Sequence, residues 1–150
     1  MNWHSALAYC KWLGKRLPSE AEWEKVARGT DGRLCPWRDQ KPTNELAAIG
    51  LFRGDTLPVG QRPKEASPYG VVDMACQIWE WIRSIPHSYP CKPKDSREKL
   101  TPDEDRVARG GNSSSDDDVT AASREFVAPW RAASGHACLG FRCAASVELV

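Results

Sequence analysis

No apolar run in the chain approaches the roughly 20 residues needed to span a bilayer. The first residues, Met1-Asn2-Trp3-His4-Ser5, carry neither the basic nor the apolar stretch of a secretory leader, so the cytoplasm is the default expectation for location. An excess of either charge is missing too: 21 basic and 20 acidic side chains leave a net +1. That gives no sequence-wide attraction to nucleic acid or to an anionic membrane, and neither is expected as a partner. Histidine is scarce, and His4, His87 and His136 are too scattered to suggest a facial iron site. The cysteines include no Cys-x-x-Cys pair, which argues against a zinc knuckle. There is no Gly-x-Ser-x-Gly elbow around any serine, and Arg109-Gly110-Gly111 lacks the lysine of a phosphate-binding loop.

What is present describes an ordinary globular chain. With 150 residues, 41% hydrophobic and 27% charged, the sequence fits one domain over residues 1–150, large enough to bury a core without staples. Seven tryptophans are many for this length. Trp12, Trp23, Trp79 and Trp81 lie in patterned segments, so these rings are expected to fill the core, each indole N–H finding a partner.

Trp3, Leu7, Cys10 and Leu13 recur at three- and four-residue spacing and predict a helix from Trp3 to Leu13, stopped by Gly14. Pro18-Ser19-Glu20-Ala21-Glu22 predicts a second helix with serine at the N-cap and glutamate at N3, the reciprocal capping box. Trp23, Val26 and Ala27 would then share a face, and Gly29 would close the helix. Residues 30–69 are punctuated by Gly and Pro, which signals turns. Extended segments are expected at Gln77 to Arg83, Arg106 to Arg109 and Cys138 to Cys143. In the first, Trp79 and Trp81 face one way and Ile78, Glu80 and Ile82 the other. The polar stretch Pro86 to Asp105 reads as a surface loop. The fold class is α+β: two early helices, then short twisted antiparallel strands with much loop.

Six cysteines, at 10, 35, 76, 91, 138 and 143, allow fifteen pairings, and spacing alone selects none. Four ordered segments carry more. They are Ala8-Tyr9-Cys10-Lys11-Trp12-Leu13-Gly14-Lys15-Arg16-Leu17-Pro18-Ser19-Glu20-Ala21-Glu22-Trp23-Glu24, then Gly70-Val71-Val72-Asp73-Met74 with Ile78-Trp79-Glu80-Trp81, then Arg106-Val107-Ala108-Arg109-Gly110-Gly111, and last Leu139-Gly140-Phe141-Arg142-Cys143-Ala144. Together they resemble the formylglycine-generating, or sulfatase-modifying, enzyme family from about Asn2 to Ala145. The resemblance implies a variant of the C-type lectin fold. In the family, strands precede the helix carrying Ala-Tyr-Cys, so it also implies a domain truncated at its N-terminal strands, or one paired differently there. It implies a Cys10–Cys143 contact tying the first helix to the last strand. As a disulfide this would contribute about 3–5 kcal/mol on the chain-entropy model, and in a reducing compartment it would be a buried thiol pair.

The family's oxidases turn a sulfatase cysteine into formylglycine with copper and oxygen, using a cysteine pair just past a Gly-Gly-Ser segment. The matching stretch here has Asn112 for that serine, Ser115 at the first cysteine position and Thr120 at the second. A hydroxyl ionises far less readily than a thiol and is a hard donor that binds Cu(I) poorly, so copper and the oxidase reaction are not expected. The resemblance also implies structural calcium near Asn44, Gln77 and Glu80. Gln77 replaces the family's asparagine, and the longer amide shifts its oxygen by about a bond length in a cage of 2.3–2.6 Å contacts. The run Asp116-Asp117-Asp118 is a second acidic candidate, although such runs are usually solvated loops.

Three functions compete. The first is a non-catalytic module binding an unknown protein or small ligand through Ser113, Ser114, Asp116, Asp118, Phe126, Trp130, Arg131 and His136. Some proteins of this superfamily are variable binders diversified by retroelements in the same interval, between Arg-Gly-Gly and Gly-Phe-Arg. The second is a sulfatase-modifying oxidase or a relative with altered chemistry. The third is a degenerate fragment.

Overall fold

The computed structural model describes residues 1–51, 55–92, 94–111, 120–131 and 139–146. Helix α1, Trp3–Trp12, starts at Asn2, whose side chain accepts the Ser5 N–H at 2.9 Å, and ends one residue before the expected stop. Its buried residues are Trp3, Ala6 and Cys10, with Leu7 packed against them, so the expected stripe holds except at Leu13, which is the C-cap and is exposed. Gly14 then turns the chain with φ of +67°. Helix α2, Glu20–Arg28, has the full capping box: Ser19 accepts from the Glu22 N–H while the Glu22 carboxylate accepts from the Ser19 N–H. Gly29 is its C-cap with φ of +66°.

Four short strands follow: β1 Trp79–Trp81, β2 Arg106–Arg109, β3 Arg124–Val127 and β4 Leu139–Gly140. They form one sheet in the order β3-β2-β1-β4, with β2 antiparallel to β1 and β3 and β4 parallel to β1. The architecture is α+β as expected, although the sheet is mixed rather than purely antiparallel. The extended segments are shorter than expected, and β3 lies where a loop-borne surface was expected. A four-residue strand with exposed Glu125 and Phe126 carries too little alternation to stand out in the sequence.

The alternation along β1 and β2 decides where each helix packs. Trp81, Ala108 and Val127 meet Trp3, Ala6 and Cys10 of α1 in one cluster. Ile82 and Val107 meet Trp23 and Ala27 of α2, with Met74 and Ala121, in another. The two helices thus cover opposite faces of the sheet. Gly110 is fixed by its φ of +102° and by close approach: a Cβ there would lie 3.2 Å from the Ile78 carbonyl oxygen and 3.5 Å from the Trp23 ring.

Two expectations are corrected. Trp3, Trp23 and Trp81 are buried and Trp79 is partly so, but Trp12 is 78% exposed at the end of α1, stacked only at a tilt on Tyr9. The Pro86–Asp105 stretch is not only surface: it delivers Arg97, which is buried, to Glu20 on α2.

Candidate functional site

The interval between β2 and β4 rises from anchored stems. The first stem is Arg109, whose guanidinium donates to the carbonyls of Ala121 and Ala122, each at 2.9 Å, and to the Glu24 carboxylate at 2.7 Å. Residues 120–123 are held further by the Ala121 N–H donating to the Leu34 carbonyl at 2.8 Å. The second stem is the turn after β3, where the Trp3 N–H donates to the Pro129 carbonyl at 3.0 Å and the Arg131 N–H to the Ala128 carbonyl at 3.0 Å.

Beneath these stems lies a buried charge cluster. Glu20 opens α2 yet is fully buried, because three guanidinium groups surround it: Arg124 at 2.6 Å, and Arg97 and Arg109 each at 3.5 Å. Arg97 is held in turn by Asp95 at 2.6 Å and lies 3.1 Å from the Cys91 sulfur. Tyr89 donates to Glu24 at 2.7 Å, and burial together with that carboxylate pushes the phenol up to about 12. A lone buried carboxylate is costly; surrounded by fixed guanidinium groups, Glu20 clamps α2, β2, β3 and the Tyr89–Arg97 loop together. Arg106 is also fully buried. It donates to the carbonyls of Arg83, Lys99 and Thr101 and lies 3.9 Å over the Trp3 ring, and burial lowers its pKa.

On this base sit the described members of the expected binding surface. Phe126 is 50% exposed and Trp130 60%, with Arg131 exposed beside it. The Arg124 guanidinium lies 4.8 Å from the Tyr89 ring centroid and 5.0 Å from that of Phe126. The remaining members, Ser113, Ser114, Asp116, Asp118 and His136, lie outside the described residues, as do Asn112 and Ser115 of the degenerate catalytic stretch.

Thr120 is described, and its hydroxyl belongs to a local turn: Oγ1 accepts the Ala122 N–H at 3.2 Å and lies 3.5 Å from the Ser123 hydroxyl. Hydroxyls at 115 and 120 do not fit Cu(I), and among the described residues no group of three or more His, Cys, Asp or Glu is placed to hold a metal. The expected calcium set fares no better as folded. Glu80 meets Arg142 through both carboxylate oxygens, at 2.7 Å each, and also accepts the Trp23 indole N–H at 2.7 Å. Gln77 bonds both ways to the Leu57 backbone, and the Asn44 carbonyl accepts from Arg62 at 2.8 Å. A divalent ion on Glu80 would face a guanidinium already in place, so Glu80 acts as the buried counter-ion of Arg142.

The expected Cys10–Cys143 contact is present. The sulfurs are 3.1 Å apart and both are free thiols, joining α1 to the segment after β4. Burial, with the neighbouring Cys143 sulfur, pushes the Cys10 thiol up to about 12. The sequence reading missed the arginines at 97, 109, 124 and 142 and the buried Glu20. One signal was available: Arg106 and Arg109 bracket an apolar pair within one strand, where charge is costly unless paired.

The clamped sheet, with its stems and Gly-Gly and Gly-Phe-Arg corners, defines an α+β domain of the sulfatase-modifying type. The chain belongs to the sulfatase-modifying factor enzyme 1-like domain family, whose model matches residues 1–147. It is 34% identical to the formylglycine-generating enzyme of Mus musculus, over 97% of this chain and 43% of that protein. It is also 34% identical to the inactive C-alpha-formylglycine-generating enzyme 2 of Bos taurus, over 96% of this chain and 48% of that protein. Among solved structures, variable protein 1 of Treponema denticola superposes with a TM-score of 0.62 at 28% identity, over 85% of this chain and 46% of that one. The chain thus spans less than half the length of these relatives.

Proposed function

We propose that this domain is a non-catalytic member of its family that binds a protein or small ligand through the surface between β2 and β4. The observation that carries the reading is chemical: hydroxyls stand at 115 and 120, where the oxidases have thiols, and no cysteine lies between Cys91 and Cys138 to replace them. A relative in Bos taurus whose name declares it inactive supports the reading by showing that the family includes such members. So does the layout, in which Phe126, Trp130 and Arg131 stand exposed on a base clamped by Glu20 and its arginines. Preorganised stems lower the ordering cost of binding. Recognition rather than chemistry is what such a surface offers, and fold alone does not decide between them.

The test is a peptide bearing the Cys-x-Pro-x-Arg sulfatase motif, incubated with the protein, copper and oxygen and followed by mass. The expected result is an unchanged peptide; conversion of its cysteine to the aldehyde ends the proposal. The competing oxidase reading draws on the similarity to the mouse enzyme, and the same reaction decides it. The likeness to the Treponema variable protein favours a third reading, a diversified binder, which predicts a reverse transcriptase and a template repeat beside the gene.

A further inference from the structure

Helix α1 has a second side that the core does not use. Opposite Trp3, Ala6 and Cys10 it presents Ser5, Ala8, Tyr9 and Trp12 at helical spacing, all exposed, with Leu13 exposed at the C-cap. The rings run on into the segment after β4: Trp12 lies 5.8 Å from Tyr9, and Tyr9 meets Phe141 edge-on at 5.6 Å. The buried tryptophans Trp3, Trp23 and Trp81 each donate the indole N–H to an acceptor of the protein. Among the described residues nothing accepts from the Trp12 N–H, and the Tyr9 hydroxyl has no hydrogen-bond partner. This face shares no residue with the surface that carries Phe126, Trp130 and Arg131.

The charge around these rings has one sign. Residues 1–19 contain no Asp or Glu, and Lys11 and Lys15 flank Trp12 with no carboxylate partner among the described residues. Arg16, the next cation along the chain, is already held by Glu22 at 2.6 Å. The carbonyls of Tyr9, Cys10 and Lys11 accept from the N–H groups of Leu13, Lys15 and Gly14, so the helix end is closed without the two ammonium groups.

We propose that this face binds an acidic segment of a partner protein. Its apolar side chains would meet the Tyr9, Trp12 and Phe141 rings, and its carboxylates Lys11, Lys15 and the Trp12 N–H. Tryptophan and tyrosine lead the residues that carry interface energy, and complementary charge steers the encounter and selects the partner. A second copy of the chain does not fit, because pairing two such faces brings the lysines of both together. A bilayer fits poorly as well: Trp3 and Leu7 face the sheet, which leaves Ser5 and Ala8 where an interfacial helix needs apolar depth.

In an NMR titration with a synthetic peptide repeating Glu-Glu-Leu, the Trp12 indole N–H signal is expected to move saturably. That of Trp23, buried and bonded to Glu80, is expected to stay still. Peptides repeating Lys-Lys-Leu or Glu-Glu-Ser, which lack the charge or the apolar group, are expected to bind at least about tenfold more weakly. Trp12→Ala, followed through the Lys11 backbone amide, and the double reversal Lys11→Glu with Lys15→Glu are each expected to weaken binding at least about tenfold. Both change exposed side chains, and should one of them fail to fold, the other decides. Unsaturable shifts, equal binding of the three peptides, or undiminished binding by a folded variant would each overturn the proposal. So would a Trp12 signal that moves with protein concentration alone, or tighter binding to phosphatidylserine vesicles than to the acidic peptide.

Discussion

Glu65→Gln should make this protein more stable near neutral pH and leave it unchanged in mild acid. Glu65 ends the short 3₁₀ turn Pro63–Glu65 and is only 3% exposed. One of its oxygens accepts the Asp73 N–H at 2.9 Å, and Asp73 in turn accepts the Gly60 N–H at 2.8 Å. Burial first, and the adjoining Asp73 carboxylate second, push Glu65 up to about 7 from an ordinary 4.5, against a smaller opposing pull from Arg62. Between those two values the folded state holds a proton that the unfolded state has released. Stability therefore falls as pH rises through that window, by on the order of 3 kcal/mol once Glu65 is charged in both states. Glutamine keeps the acceptor for the Asp73 N–H and carries no charge, so it removes that penalty.

The assay is urea denaturation of both proteins at a series of pH values. The difference in unfolding free energy should be near zero below about pH 4.5 and grow to about 3 kcal/mol above pH 7. Groups such as Glu22, held down to about 2 by Arg16, lose their stabilising contribution as pH falls below the ordinary carboxylate range, equally in both proteins, and cancel. A difference that is flat with pH, or that favours the original chain at neutral pH, would show that the carboxyl is not protonated in the fold, and the argument would fail.

Two further outcomes follow from the same buried contacts. Mild oxidation should join Cys10 to Cys143, seen as a loss of two hydrogens in the intact mass and a reductant-reversible rise in melting temperature. The loop of 133 residues corresponds to an upper stabilisation of about 4–5 kcal/mol, and preferential pairing of Cys10 with another cysteine would refute it. Arg109→Met should cost about 3–5 kcal/mol in denaturant unfolding, because it strips Glu20 and Glu24 of a shared cation and frees the Ala121 and Ala122 carbonyls. A cost under about 1 kcal/mol would mean that the cluster relaxes around the loss.

The helices and their ends were legible because capping is local: Ser19 and Glu22 need only each other, and Gly14 and Gly29 need only a positive φ. The facing of β1 was legible because Trp79, Glu80, Trp81 and Ile82 alternate on a buried strand. The rest depended on distant partners. Arg97 reads as one charge in a polar loop, and only the fold brings it to a glutamate 77 residues away. Glu20 reads as a solvated first-turn acid favoured by the helix dipole, and the same residue is fully buried because three other segments close over it. Trp12 failed for the opposite reason: the local stripe of Trp3, Leu7 and Cys10 already set it on the far side of α1, where its ring is exposed.

The distribution of charge also bears on what the domain can afford to vary. Among the described residues, the ion pairs with fully buried members join α2, β2, β3 and the 95–97 loop, and the stems at 120–123 and 128–131 are held by backbone bonds. Glu20 closes against Arg97, Arg109 and Arg124, so substitutions at any of these four loosen the junction of α2, β2, β3 and the 95–97 loop. Thr120 bonds instead to Ala122 and Ser123 of its own turn, so its hydroxyl is spent on the stem and not on the clamp.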